Sequence, residues 1–309
     1  MSTQFIRSCE LLVGKAGGEG INLSELRITF EVTSANVQTP NTAHVRVYNL
    51  APSSEAKVQE EFTHLQLSVG YSEGLSTVFA GEIRQIRRGR ESATDTFIDL
   101  IAADGDTAYN HAVLQTSLAA GWTPDQLRDA CVQSMAPFGV TAGQLAPLPD
   151  FKAPRGATFY GRTCDFLTEL AESYGMTWSI VLGQLHMLSI DDALGGDVVE
   201  LTAESGLIGL PQQTIDGIMV RCLINPRIKP GSKIKLSNSS IQQAAISTQT
   251  KYLDKRPGID PDGQYKVWAV AMSGDTRGQD WCMDLACTAI KGQAPFSSTY
   301  LNAGGTYGS

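Results

Sequence analysis

The sequence predicts a β-rich α+β protein in which two strand-rich domains of similar fold flank a small α+β insert. Three observations carry this expectation. Apolar residues alternate with polar ones through the first hundred positions. A sharply signalled helix start follows Gly105 and opens a region of mixed periodicity. Strand-like alternation then returns after residue 197.

Residues 26–50 read LRITFEVTSANVQTPNTAHVRVYNL. Ile28, Phe30 and Val32 fall on one strand face, Val45 and Val47 on another, and Pro40-Asn41 sit in the connection. LQLSVGY (65–71) alternates again. From Phe79, the run FAGEIRQIRRGRESATDTFIDLIAADG predicts a further strand pair turning around Arg88-Gly89-Arg90. Strands recurring at such short intervals, with turn residues between them, suit a barrel or a sandwich.

Within the insert a helix opens at Thr123-Pro124-Asp125-Gln126. Thr123 can cap a helix, Pro124 fits its first position and Gln126 completes a capping box, so a helix should run to about Met135 and stop near Pro137. Residues 141–156 hold three prolines and read as a loop. A second helix should start after Thr163 and stop at Gly175, with Phe166, Leu167, Leu170 and Tyr174 as its apolar stripe. MTWSIVLGQLHMLSI then alternates across Gly183-Gln184 as a hairpin. In the last third, 217–223 and 234–236 read as strands, the second after the turn Lys229-Pro230-Gly231. Residues 242–263 read as a long loop, and YKVWAVAM (265–272) and WCMDLACTAI (281–290) as a strand pair. The expected units are therefore 1–105 and 197–292 as strand-rich domains, 106–196 as the insert, and 293–309 as a polar, glycine-rich tail.

Acids outnumber bases 32 to 24 over the 309 residues, which argues against a dedicated nucleic-acid binder. No signal peptide is visible, and no run nears the roughly 18 apolar residues of a membrane span. The six cysteines form no CxxC pair and read as reduced thilos of a chain folded in a cytoplasm. His44, His64, His111 and His186 lack the spacing that puts two ligands on one helix face, so no metal and no cofactor are expected. No GxSxG elbow is present, and the adjacent acids Asp191-Asp192 and Glu60-Glu61 read as solvated rather than catalytic.

GDTRGQDW (274–281) collects an acid, a hydroxyl and a guanidinium between two glycines. A phosphate-binding loop leads into a helix, whereas this one leads into a strand, so it reads as a turn. The densest charge run is Arg84, Arg87, Arg88 and Arg90. The run reads first as a solvated hairpin tip that needs no function; as a contact to an acidic neighbouring chain these arginines, with Arg277, are the interface candidates. Glu82 and Glu91 dilute the field and no aromatics interleave, which disfavours nucleic acid.

Several phrases resemble one family in order along nearly the whole chain. LTAESGLIGLPQQTIDGIMVRCLINPRIKPGSKIKL (201–236) resembles the second barrel of phage tail baseplate hub proteins. VRVYNL (45–50), VFAGEI (78–83) and LIAADGDTAY (100–109) are similar to the first barrel. GWTPDQL (121–127) is similar to the start of the middle unit, and YKVWAVAMSGDTRGQDWCMDLAC (265–287) to the closing hairpin. Each phrase alone is weak, and 142–156 matches none.

The resemblance, which extends to the N-terminal part of type VI secretion spikes, implies a structural protein and not an enzyme. It implies two similar tail-tube-like β-barrel domains per chain, with the α+β unit inserted between them. A homotrimer would then present six similar faces, adapting a six-fold tail tube to a three-fold central spike and lining the DNA ejection channel. Implied partners are itself, the tail tube protein, the central spike protein, other baseplate proteins and the tape measure protein, with DNA only in transit. The implied place is the tail baseplate of a virion, assembled in the host bacterial cytoplasm. Lysozyme-like and spike functions are expected on separate proteins. The competing expectations are a tail-associated cell-wall hydrolase, which needs a placed catalytic acid, and a carbohydrate-binding module, which needs exposed aromatics.

Overall fold

The computed structural model describes residues 6–15, 20–72, 74–214, 217–243 and 258–290. The expected 293–309 tail and most of the expected 242–263 loop lie outside them. The first part holds β1 (Ser8–Gly14), β2 (Gly20–Asn22), β3 (Ile28–Ala35), β4 (Thr42–Tyr48), α1 (Pro52–Glu60), β5 (His64–Tyr71), β6 (Gly74–Arg90) and β7 (Thr96–Ala103). The middle holds α2 (Asp106–His111), β8 (Val113–Leu118), α3 (Pro124–Met135), β9 (Thr141–Leu145), β10 (Ala157–Arg162), α4 (Thr163–Ser173), β11 (Met176–Val181) and β12 (Gln184–Ser189). The last part holds β13 (Val199–Glu200), β14 (Leu207–Thr214), β15 (Gly217–Leu223), β16 (Lys233–Lys235), β17 (Gln242–Gln243), β18 (Gln264–Asp275) and β19 (Trp281–Ala289).

One large, mainly antiparallel sheet joins the first and last parts, in the order β17-β14-β15-β19-β18-β3-β4-β7-β6-β5-β1-β2. The joint is β3 against β18, in register from Ala35↔Ala269 to Thr29↔Asp275. Among the described residues this path is open, and no pairing closes it into a ring. Period-two burial explains each central strand. Ile28, Phe30 and Val32 of β3, Val45 and Val47 of β4, Ile98 and Leu100 of β7, and Val270 and Met272 of β18 all face one apolar core. The same core takes in Leu11, Leu65, Leu67 and Phe79 from the far end and Ile218, Val220 and Leu285 from the near end. Strand β6 pairs with β5 through its first half and with β7 through its second, and residues of β5, β6 and β7 share the one apolar core.

The middle part has its own core, including Leu127, Cys131, Leu167, Leu170, Trp178, Ile180 and Met187. Helix α3 starts as its residues dictate. Thr123 accepts from the Gln126 N–H while the Gln126 side chain accepts from the Thr123 N–H, and Pro124 takes the first turn. Helix α4 buries Leu167 and Leu170, with Phe166 and Tyr174 only partly covered. Hairpin β11–β12 turns at Leu182 and Gly183, whose φ angles of 53° and 71° make the two-residue turn that matches strand twist.

Several elements depart from expectation. β1, β14 and the ribbon β8–β10 leave little alternation to read, and β14 carries a register shift between Ile208 and Gln212 around Gly209. Helix α1 has no side-chain cap and buries only Val58. Part of the expected 141–156 loop is strand β9, pairing in parallel with β12. All six cysteines are free thiols.

Candidate assembly interface

The arginine run lies on strand β6 itself and not at a turn. The ladder with β7 continues to Arg90↔Thr96, and residues 91–95 make the turn, closed by the Ser92 hydroxyl donating to Asp95 at 2.7 Å. The expected turn at Arg88-Gly89-Arg90 was displaced because the ladder continues through all three residues. Asn49 fixes the exit, donating to Asp95 at 3.2 Å and accepting from the Thr96 N–H at 3.0 Å.

Strand geometry then divides the arginines. Arg87 pairs across to Asp99, on the face away from the core, whereas Arg88 pairs to Ile98 and Arg90 to Thr96 on the other. Arg84 falls at a register shift between Ile83 and Gln85 and meets Asp106 at 3.2 Å. Arg88 lies 3.7 Å from Glu55, and Arg90 donates to the Ala93 carbonyl at 3.4 Å. Arg87 is exposed and has no ion-pair partner among the described residues.

Arg87 ends a row that crosses five strands. Asp275 of β18, Thr29 of β3, Arg46 of β4, Asp99 of β7 and Arg87 of β6 are successive cross-strand partners on one face. Four strand spacings separate its ends, about 19 Å. Asp99 is buried, and burial alone would raise its carboxyl. The two Arg46 bonds at 2.7 and 3.2 Å, with His44 at 3.4 Å, outweigh that and hold it below the ordinary value. The next row runs Ser273, Glu31, His44, Ile101 and Gln85. Toward β14 the face continues through Ala271, Asp284 and Arg221, the last two 3.6 Å apart, to Ile208. A cleft of about 550 Å³ opens there, lined by Thr33, Leu210, Met219, Ala269 and their neighbours.

The GDTRGQDW loop is the turn between β18 and β19 at the other end of the charged row. The Asp275 N–H donates to the Asp280 carbonyl at 2.8 Å, and the Asp275 carboxylate accepts from the Arg277 N–H at 2.8 Å. Thr276 ties the turn to β3, exchanging hydrogen bonds with Ile28 at 2.9 Å in both directions. Sequence reasoning missed Arg27, which donates to Asp275 at 2.7 and 3.4 Å and lies over the Tyr48 ring. Nothing local marks that pair, because the partners lie 248 residues apart. Arg277 does not hang free: its guanidinium donates to the Glu25 carbonyl at 2.9 Å.

Gly278 does not take a left-handed φ, so its need for glycine is spatial. A Cβ there would sit 2.5 Å from the Asp275 carboxylate. Gly278→Val should therefore push that carboxylate off Arg27 and the Arg277 N–H, costing about 2 kcal/mol. Asp275→Asn keeps an acceptor and gives up one pair to a half-exposed arginine, costing about 1 kcal/mol or less. The Arg27 bonds, foremost, hold the Asp275 carboxyl below its ordinary 3.8. Its stabilisation is present above that value and is lost as pH falls through the lowered one. Melting curves of both variants should rank Gly278→Val as the less stable. The gap between Asp275→Asn and wild type should close in acid below pH 3.8. The opposite ranking would overturn this account of the turn.

Among the described residues no three His, Cys, Asp or Glu side chains gather as a metal site. His186 accepts the Gln144 N–H at 2.9 Å, and burial lowers its pKa. Trp178, Trp268 and Trp281 are buried, and half-buried Trp122 donates to the Arg155 carbonyl and meets Phe159 edge-on. Among the described residues no helix is long and apolar enough to cross a membrane.

No family model and no curated protein matches the chain. Among solved structures it is similar to a tail protein of Neisseria meningitidis, at TM-score 0.58 and 11% identity, covering 92% of this chain and 97% of that one. It is similar to the 43 kDa tail protein of prophage MuSo2 from Shewanella oneidensis, at TM-score 0.56 and 10% identity, with the same coverage. It is also similar to an E. coli component of the type VI secretion system, itself described as similar to the T4 bacteriophage tail proteins gp27 and gp5. There the TM-score is 0.55 and the identity 12%, over 87% of this chain and 76% of that one. At such identities the likeness is one of fold. The chain has the fold of phage tail proteins and of this secretion component, as the sequence resemblance implied.

Proposed function

We propose that the chain is a structural baseplate hub protein of a phage tail, three copies of which form a ring between the six-fold tail tube and the three-fold central spike. The observation that carries this reading is the β3–β18 ladder, which sets two strand-rich halves side by side in one sheet within each chain. Residues 1–105 and 197–292 act as two tube-like barrel units, so three chains supply six. Residues 106–196 form the insert, and other baseplate proteins and the tape measure protein complete the surroundings. Such a ring assembles in the host cytoplasm and lies in the baseplate of the virion.

We assign the channel lining to the sheet face that bears the charged row. Arg46 and Asp99, Arg221 and Asp284, and Arg27 and Asp275 pair with one another there. Arg87 alone ends the row without an ion-pair partner among the described residues; charges otherwise paired in this way leave little field to hold a passing phosphate backbone, in keeping with a net charge of −8.

Arg87 and Arg88 lie on opposite faces of β6, so single reversals separate the surfaces. Of the arginines proposed for the inter-subunit contact, Arg84, Arg88 and Arg90 have partners within the chain that a neighbour would replace, as does Arg277. Arg88→Glu should weaken trimer formation about tenfold at moderate salt, while Arg87→Glu, on the channel side, leaves it intact. Sedimentation equilibrium of the purified chains measures both. A wild-type chain that stays monomeric at all concentrations would refute the ring, and an undisturbed Arg88→Glu trimer would remove the contact.

A further inference from the structure

The sheet and the insert have separate apolar cores, and hairpin β11–β12 lies between them, stitched to the sheet by polar groups. The Asn36 side chain donates to Thr177 Oγ1 at 3.3 Å and accepts from Ser179 Oγ at 3.1 Å. Asn41 Nδ2 donates to the Ile180 carbonyl at 2.8 Å. At the turn of the hairpin, Asp104 accepts the backbone N–H groups of Leu182 at 2.5 Å and Gly183 at 3.0 Å. At its open end, Lys266 donates to the carbonyls of Ser189 at 3.0 Å and Ile190 at 3.1 Å, with its ammonium 4.3 Å from the centre of the Trp268 ring.

Asp104 is 3% exposed and Lys266 2%, and neither has an ion-pair partner among the described residues. The charged group bearing on Asp104 is Glu82 of β6, which has the same sign and is itself held by the Thr107 N–H at 3.2 Å. The Arg84–Asp106 ion pair lies close by in sequence, two residues past Glu82 and two past Asp104. Those bearing on Lys266 are the exposed Asp192 and Asp191, just past the hairpin, and its cross-strand partner on β16 is Lys233. A buried charge with only dipoles in contact carries most of its desolvation cost uncompensated.

We infer that hairpin β11–β12 is a pH-sensitive joint, loosest near neutral pH, on which the insert moves against the sheet as an intact body. The direction follows from which state holds each proton more tightly. Burial raises Asp104 to about 7, against the pull of its two N–H donors, whereas in an opened joint it returns toward 3.8. The closed joint therefore binds that proton more tightly and firms as pH falls below about 7. Burial lowers Lys266 from 10.5 to about 8, against the pull of Asp192 and Asp191. The closed joint holds that proton less tightly and firms as pH rises above about 8. Between these values both groups are ionised, and the joint carries both costs at once.

Amide hydrogen exchange on the full chain, corrected for the intrinsic pH dependence, tests this. Protection of the Leu182 and Gly183 amides, which Asp104 holds across the joint, should be at least about tenfold higher at pH 5.5 than at pH 7.5, since one unit of displaced titration is a tenfold change. At each pH these two amides should exchange faster than those of β3 and β18, which open only when the sheet itself unfolds. Asp104→Asn should abolish the acid rise, whereas Lys266→Met should keep it and lose the rise above pH 8. Equal protection of these two amides at pH 5.5 and 7.5 would overturn the inference, as would exchange no faster than that of β3 and β18 or an acid rise that survives in Asp104→Asn. If Asp104→Asn does not fold, the wild-type series decides on its own.

Discussion

Replacing Gly217 with valine is expected to cost about 4 kcal/mol. Gly217 opens β15 at a φ of +129°, a conformation that side-chain-bearing residues avoid. A Cβ would also sit 2.4 Å from the Cys287 carbonyl oxygen. That oxygen belongs to the backbone of β19, whose ladder with β15 runs from Ile218↔Cys287 to Leu223↔Cys282. Neither strand can withdraw without breaking the ladder, and Ile218, Val220 and Leu285 behind it are wholly or almost wholly buried. Urea unfolding measures the loss. A value below about 1 kcal/mol would mean that the hairpin relaxes and that the β14–β15 end is softer than its burial implies.

Trp268→Ala should be comparably costly, at about 3–5 kcal/mol. The side chain is 2% exposed, its indole N–H donates to Thr288 Oγ1 at 2.7 Å, and its ring lies under the Lys266 ammonium. Its carbonyl accepts the Asn36 N–H at 2.7 Å, which links it to the side chain holding Thr177 and Ser179. The β18–β19 register shifts between Val267 and Ala269, so Trp268 sits where the ladder is already interrupted. Alanine there leaves a cavity and strips the ammonium of its aromatic face. The variant should therefore lose hairpin protection along with global stability. A variant of wild-type stability in urea would show that Trp268 is not a keystone of the sheet–insert boundary.

What the sequence made legible was local. The Thr123–Gln126 capping box, the alternation of β3 and the long apolar strands β18 and β19 rest on contacts within a few residues or on one buried face. Helix α1 lacks both a cap and an apolar stripe, and so lacks both signals. The pairing of β3 with β18 leaves no periodic mark on either strand, because it is decided by strands more than two hundred residues apart. The arginines were legible as residue types. Their distribution over two faces was not, since it depends on the β6–β7 register and on the shift at Ile83/Gln85. Asp275 was read as a local turn acceptor, which it is, while its Arg27 partner was beyond reach. The face of Thr29, Glu31 and Thr33 was visible only as the complement of Ile28, Phe30 and Val32.

A three-dimensional reconstruction of the native tail particle would show where the chain sits and which face it turns inward. The hub reading predicts three copies of the chain at the junction of tube and spike, with Thr29, Arg46, Asp99 and Arg87 facing the channel. Absence of the chain from the particle, a six-fold or peripheral position, or that sheet face turned away from the channel would contradict it.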